Sequence, residues 1–412
     1  MRSPIFIFVF VLILILIDFY IYQVLKTLSQ GASSQVKSII FVVYWALCLI
    51  SLSSFLLFPF INNPYFRQYI FSISIGWVLT QVTMVMFFLL DDVRRGTFWT
   101  VGQISSATGA QFLNTEKGIP RSTFLSWLGV GLSSTLFFSL LYGFGNKYNY
   151  QLVRQKIKLK NLPDAFKGFK IIHISDIHSG SLKEKEAVLK GIQLINQQEA
   201  DLVLFTGDLV NDRATEMHDW KDVFSQIKAK NGVYSTLGNH DYGDYVQWDS
   251  VEAKQQNLRD LANVHEQMGW RLLMNENVAI EKDNATIRLV GIENWGAKAR
   301  FPKYGKMDLA MQNVDPTETI ILLSHDPSHW EAQVQKQYPQ VDLMLSGHTH
   351  GMQFGLENPY FKWSPVQWVY KQWAGVYQQN DQQLYVNRGF GFLGYPGRVG
   401  IMPEITLIEL TS

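Results

Sequence analysis

Residues 170–178 read KIIHISDIH: a short apolar run that ends in a carboxylate, Asp176, with an imidazole, His178, two residues on. The same design returns four times. DLVLFTGD (201–208) ends in Gly207-Asp208, and VYSTLGNHD (233–241) in Gly238-Asn239-His240-Asp241. TIILLSH (319–325) ends in His325, and VDLMLSGHTH (341–350) in Gly347-His348-Thr349-His350. Short apolar runs bounded by glycine and polar residues read as buried strands. Helical periodicity over 183–200 and 251–268 separates some of them, and further strand candidates lie at 152–159, 286–292, 384–387 and 404–410. Alternating strands and helices predict an α/β fold. In such sheets ligands collect where strands end and loops begin, so function is expected at one rim.

The residues at that rim are hard or borderline metal donors. Asp176 and His178 stand at i and i+2, which in extended chain point the same way, and His348 and His350 repeat that spacing. Asp208 has two oxygens, enough to bridge two ions. Asn239 adds a carbonyl oxygen and His325 another imidazole. With Asp208 shared, each of two ions has four protein donors. Nitrogen and oxygen donors without thiolate suit Mn²⁺, Fe or Zn²⁺. The single cysteine, Cys48, excludes an internal disulfide framework and a cysteine-based zinc site. One such motif alone is structural more often than not. Five in this order, each after an apolar run, point to a metal centre.

Taken together, Asp176-x-His178, Gly207-Asp208, Gly238-Asn239-His240-Asp241, His325 and Gly347-His348-x-His350 resemble the successive motifs of the calcineurin-like metallophosphoesterases. The resemblance implies a four-layer α-β-β-α sandwich over 169–412 with a dinuclear centre. It assigns Asp176, His178, Asp208 and His350 to one divalent ion, and Asp208, Asn239, His325 and His348 to the other. The tail from Arg388-Gly389 to Pro403-Glu404-Ile405-Thr406-Leu407 is similar to the membrane-tethered or exported bacterial branch, some of whose members cleave a UDP-linked diacylated glucosamine in lipid A synthesis. Many members carry Asp where this chain has Asn211, beside the ligands rather than among them.

The implied activity is hydrolysis of a phosphodiester or pyrophosphate, possible lipid-linked substrates included. Two cations about 3.5–4 Å apart acidify a bridging water and clamp the phosphate oxygens; the resulting hydroxide attacks phosphorus in line. His240, with no ligand role of its own, is the expected general acid. Asp241 either orients it or caps backbone amides. Of the other histidines, His173 reads as core, while His218, His265 and His329 read as surface. Tyr360, Phe361, Trp363, Trp368, Tyr370, Trp373 and Tyr377 crowd one segment, which reads either as core or dimer contact or as a surface for lipid.

The first 150 residues differ in kind. They hold nine Lys/Arg and four Asp/Glu and no histidine, whereas the rest is acidic by four charges. Neither part is basic enough to suggest nucleic acid as a partner. Apolar runs at 4–25, 39–61, 69–90 and 124–144 are each long enough to cross a bilayer. The expected organisation is a four-helix membrane domain over 1–145, a linker and edge strand over 146–168, and the enzyme domain over 169–412. A connection of about eight residues reaches at most about 28 Å, which keeps the enzyme near the membrane surface, with its rim expected to face lipid. Asp18, in the first run, is expected near an interface. Ile119-Pro120-Arg121-Ser122-Thr123-Phe124-Leu125 looks like a decayed twin-arginine export signal, which tilts the expectation to a bacterial inner membrane protein with its catalytic domain outside the cytoplasm. The rival class is a membrane sensor or scaffold with a structural metal site. A transporter with an appended enzyme finds thin support, since Asp18 is the one charge within the spans.

Overall fold

Each apolar run of the first unit forms a helix: α1 Pro4–Leu28, α2 Ser34–Leu57, α3 Pro64–Ala107 and α4 Thr123–Gly143. The structure, a computed structural model, describes residues 4–108, 119–298 and 301–412. It divides into two units, Met1–Tyr142 and Gly143–Ser412, three residues from the boundary expected at 145. Among the described residues, four helices are long and apolar enough to span a bilayer. Asn63 caps α3, its side chain accepting from the Tyr65 and Phe66 amides at 3.0 and 3.1 Å, with Pro64 at the first helical position.

The membrane unit departs from expectation in the length of one helix. Helix α3 does not stop at Leu90 but runs 44 residues, about 66 Å at 1.5 Å per residue. Its polar continuation is held by ion pairs one turn apart, Arg94 to Asp91 and Arg95 to Asp92, both 2.9 Å. Asp18 is buried among the helices. Its carboxylate meets the Gln81 amide, and its backbone carbonyl accepts from Tyr44 Oη at 2.9 Å. Arg121, read as the remnant of an export signal, is committed to Asp92 at 2.7 Å. Its neighbour Ser122 donates its amide to Asp91 at 3.1 Å, at the entry to α4. Lys117, one of the nine basic residues of the first 150, lies outside the described residues.

In the second unit the strands are β1 Gln151–Lys158, β2 Lys170–Ile174, β3 Leu202–Thr206, β4 Val233–Thr236, β5 Trp270–Leu272, β6 Glu276–Lys282 and β7 Ala285–Gly291. They continue with β8 Thr319–Leu323, β9 Leu343–Ser346, β10 Leu356–Asn358, β11 Phe361–Trp363, β12 Gly375–Gln379, β13 Gln382–Val386 and β14 Glu404–Thr411. Among the described residues they build one sheet in the order β1-β14-β2-β3-β4-β5 and another in the order β12-β13-β9-β8-β7-β6. The third pairing is the hairpin β10-β11. The stretch expected as a linker and edge strand supplies β1, at the edge of the first sheet, where it pairs in parallel with β14.

Alternation along each strand explains the layers. Leu202 and Leu204 of β3 face Ile321 and Leu323 of β8 and Leu343 and Leu345 of β9 across one shared core. Val203 and Phe205 point the other way, onto α5 Lys185–Asn196, α6 Lys221–Phe224 and α7 Val251–Gln267. Ile320, Leu322 and Met344 likewise meet Trp330, Val334 and Met307 on the far face of the second sheet. Strands covered on both faces are apolar throughout, which is why they read as continuous runs. The result is the expected four-layer sandwich. Its parallel strands β2, β3 and β4 end together at one rim, as do β8 and β9 of the facing sheet.

Candidate metal centre

Five loops meet at this rim, and their backbones are unusual. Asp176, His178, Asp208, His348 and His350 all have positive φ, between 49° and 72°. Left-handed backbone is uncommon for residues with a Cβ and is most tolerated by Asn, Asp and His. Asp176 and His178 thus do not converge by extended-strand alternation, since β2 ends at Ile174. They converge because the chain coils twice into the left-handed region. The adjoining glycines are required by crowding. A Cβ on Gly207 would strike the Gly238 backbone, and one on Gly347 would strike the side chains of Ser175 and Asp176.

Two donor sets form among the described residues. Asp176, His178 and His350 each offer a ligand atom within 4.8 Å of the others, as do Asp208, His325 and His348. Asp208 joins the sets: its Oδ2 is 3.1 Å from His325 Nε2 and 3.6 Å from His178 Nε2. His178 Nε2 and His350 Nε2 lie 3.1 Å apart, and His348 Nδ1 lies 2.8 Å from Asn239 Oδ1. Every residue of the expected ligand set is therefore at this rim. Converging lone pairs of buried imidazole and carboxylate are what a pair of cations satisfies, so the residues fit two divalent ions without thiolate.

Protonation points the same way. Burial pushes His178 down to about 3, holds His350 well below the ordinary histidine value, and lowers His348. Neutral rings are the form that binds metal. His325 is the exception. Burial opposes its charge, but Asp208 beside it raises it to about 10, a position where a cation can replace the proton. Burial would also raise Asp208, yet His325 and its neighbours hold that carboxyl well below its usual range. His325 Nδ1 lies 2.7 Å from the Thr206 carbonyl, which leaves Nε2 for the site.

His240 sits at the edge of the cluster, its ring 5.0 Å from that of His178. Its Nδ1 lies 2.7 Å from the backbone carbonyl of Asn211. The Asp-to-Asn difference at that position therefore leaves this contact intact, because the backbone makes it. Asp241 does not orient His240. Its carboxylate accepts four amides, from Leu209 (2.8 Å), Val210 (3.2 Å), Asp208 (2.9 Å) and Gly238 (2.8 Å), tying the β3 and β4 loops together. This corrects the expected catalytic part for Asp241.

Two of the three histidines read as surface are buried. His265 hydrogen-bonds Ser235 and His329 hydrogen-bonds Ser324, each at 2.9 Å; His218 is exposed and His173 is core. Residues not anticipated include Arg398, fully buried with its guanidinium against His350 and the carbonyls of Arg388 and Gly389. They also include two tyrosines, Tyr245 and Tyr370, whose hydroxyls reach ligands. The aromatic segment divides. Trp373 and Tyr370 are core, Trp363 is half-buried, and Tyr360, Phe361 and Trp368 are exposed.

A sandwich whose strand ends present two joined His/Asp clusters defines a metallophosphoesterase-type centre. Residues 169–352 match the calcineurin-like phosphoesterase family, and residues 1–146 match the transmembrane domain of probable calcineurin-like phosphoesterases. Over 271 residues the chain is 30% identical to the uncharacterized metallophosphoesterase YkuE of Bacillus subtilis, covering 62% of this chain and 84% of that one. It is 27% identical over 318 residues to an uncharacterized metallophosphoesterase of Helicobacter pylori, covering 75% and 80% of the two chains. A transmembrane protein with metallophosphoesterase domain from Danio rerio is 29% identical over 269 residues, 63% of this chain and 57% of that one. The chain thus spans little more than half the length of the zebrafish relative. It belongs to the calcineurin-like metallophosphoesterases and carries that family's four-helix membrane domain.

Proposed function

We propose that this chain is a membrane-anchored hydrolase of phosphodiesters or pyrophosphates that works through two divalent ions, Mn²⁺, Fe or Zn²⁺. The observation that carries the reading is the placement of Asp208 Oδ2 within 3.1 and 3.6 Å of histidines from both donor sets. Asp176, His178 and His350 would hold one ion and Asn239, His325 and His348 the other, with Asp208 between them. When bound, such a pair acidifies water and offsets charge on the phosphoryl oxygens. The protein's own part is proton delivery. His240 Nδ1–H donates to the Asn211 carbonyl, so Nε2 is the nitrogen free to protonate the departing oxygen. Purified chain in detergent, with added Mn²⁺, should hydrolyse bis(p-nitrophenyl) phosphate and carry two ions by metal counting. Two ions without turnover would favour the scaffold reading.

A lipid-linked substrate is the finer part of the proposal. Between β9 and β12 the chain presents Met352, Leu356, Tyr360, Phe361, Trp368 and Val369 to solvent, Tyr360 at 97% and Trp368 at 75% exposure. Aromatic rings with polar edges favour the membrane interface, and the segment begins next to His350. Tyr360→Ser with Trp368→Ser should weaken hydrolysis of an acylated phosphoester in micelles and spare a small soluble diester. Equal losses on both would remove the lipid reading. For the side of the membrane, we propose that the enzyme unit lies outside the cytoplasm, in a bacterial inner membrane. The support is the larger number of basic residues at one end of the helical unit, Lys26, Lys37, Arg94, Arg95 and Arg121, against Arg2, Arg67 and Lys147 at the other, since basic residues stay cytoplasmic. Tyr20 Oη, about two turns before that end of α1, reaches Asp92 at 2.5 Å and sets the helices level. A domain protected from protease added to intact spheroplasts would reverse this assignment.

A further inference from the structure

We propose that two tyrosine hydroxyls, Tyr370 and Tyr245, are positioning groups that set the affinity of the second ion, the one assigned to Asp208, Asn239, His325 and His348. The inference rests on the dinuclear reading above and adds residues that lie outside all five motifs.

His348 has two ring nitrogens and must turn one of them to the ion. Its Nδ1 faces Asn239 Oδ1 at 2.8 Å and His325 Nε2 at 3.2 Å. Its Nε2 lies 2.8 Å from Tyr370 Oη, and that oxygen lies 3.4 Å from Asp326 Oδ2. With Nδ1 turned to the ion, the proton sits on Nε2 and is donated to Tyr370, whose own hydroxyl is donated to Asp326. A partner on the distal nitrogen fixes both tautomer and orientation. The ring is also held edge-on by Tyr370, centroids 5.4 Å apart, and by Phe301 at 5.0 Å. Tyr370 and Asp326 are both buried, so this chain of donors is shielded from water.

Asn239 poses the same problem in another form. A carboxamide presents either its oxygen, which binds a cation, or its NH₂, which repels one. Asn239 Nδ2 donates to Tyr245 Oη at 2.8 Å, and this leaves Oδ1 facing His348 and the ion position. The first donor set is held differently. Asp176 accepts the His348 amide at 2.9 and 3.0 Å, and His350 is backed by Arg398. The hydroxyls of Tyr370 and Tyr245 go to His348 and Asn239, which belong to the second ion alone. Loss of the two hydroxyls should therefore be felt at one ion only.

The test is Mn²⁺ titration of the full chain in detergent by calorimetry, with bound metal counted after dialysis. Tyr370→Phe and Tyr245→Phe keep the rings and remove the hydroxyls. Each should weaken the second ion about 10–100-fold, the range for lost partners of metal ligands, and leave the first ion unchanged. Asp326→Asn should fall between wild type and Tyr370→Phe. Saturating Mn²⁺ should restore kcat in the tyrosine variants with KM for a soluble diester unaltered. Equal weakening of both ions would mean general loosening and would overturn the proposal, as would two unchanged affinities. A wild-type chain that binds one ion would overturn the dinuclear reading itself, before any variant is compared.

Discussion

Asp241→Asn separates a structural carboxylate from a catalytic one. Asp241 Oδ1 accepts the amides of Leu209 and Val210, and Oδ2 those of Asp208 and Gly238. Asparagine keeps one oxygen and turns an NH₂ on the other pair, so two of the four buried donors lose their acceptor. A buried unsatisfied donor costs about 1–3 kcal/mol, which gives about 2–6 kcal/mol for the substitution. Against a total of about 5–15 kcal/mol for an ordinary domain, that is a large loss. The assay is urea unfolding of the full chain in detergent with metal chelated, followed through the buried Trp220 and Trp270 of the enzyme unit. The unfolding midpoint should fall well below that of wild type. At low temperature and saturating metal, the folded fraction should turn over with a pH profile of unchanged shape. A stability change under about 0.5 kcal/mol, combined with a fall in kcat as deep as that of His240→Ala, would refute the capping argument and return Asp241 to the chemistry.

Asp208→Asn should abolish activity and loosen both ions, while Asp176→Asn should mainly loosen one; metal counting that finds the same single loss in both variants would show that Asp208 is not shared. His240→Ala should keep its metal and slow turnover about 10²–10⁴-fold, less for p-nitrophenol esters than for alkoxide leaving groups, and an equal loss on both would take the proton role from His240. Burial holds His265 down to about 3, whereas an unfolded histidine titrates near 6.5. Between those values the unfolded chain binds a proton that the native chain refuses, so stability falls as pH drops through this window, by at most about 1.4 kcal/mol per pH unit. His265→Gln should flatten that slope by one proton in denaturation curves taken from pH 7 to pH 4, and an unchanged slope would mean that His265 is not buried neutral.

The rim was legible because its strands are covered on both faces. A run such as Leu202–Thr206 can be apolar throughout only in a sheet with layers on either side, and each such run ends in a donor. Less legible was how the donors converge. The i, i+2 spacing of Asp176 and His178 suggested extended chain, but both residues are left-handed, and no local pattern announces that. His265 and His329 were misjudged for a similar reason. Their polar helical surroundings hide serine partners, Ser235 and Ser324, that arrive from strands. Strand β6 escaped notice because it is an edge strand with only Val278 and Ile280 buried. The partner of Asp18 was equally hidden, since Gln81 comes from another helix 63 positions away.

Strand β14 has a consequence for synthesis. It lies between β1 and β2, parallel to one and antiparallel to the other. Until residues 404–411 have been made, β1 has no neighbour and β2 shows an open edge. The first sheet, and with it the loop that carries Asp176, therefore cannot close while translation is still passing through the metal motifs. Such pairing of distant segments is slow to form. The arrangement leaves the enzyme unit dependent on β14: a stop codon a few residues before Glu404 would remove an internal strand of the sheet and strip β1 of its partner rather than trim an end.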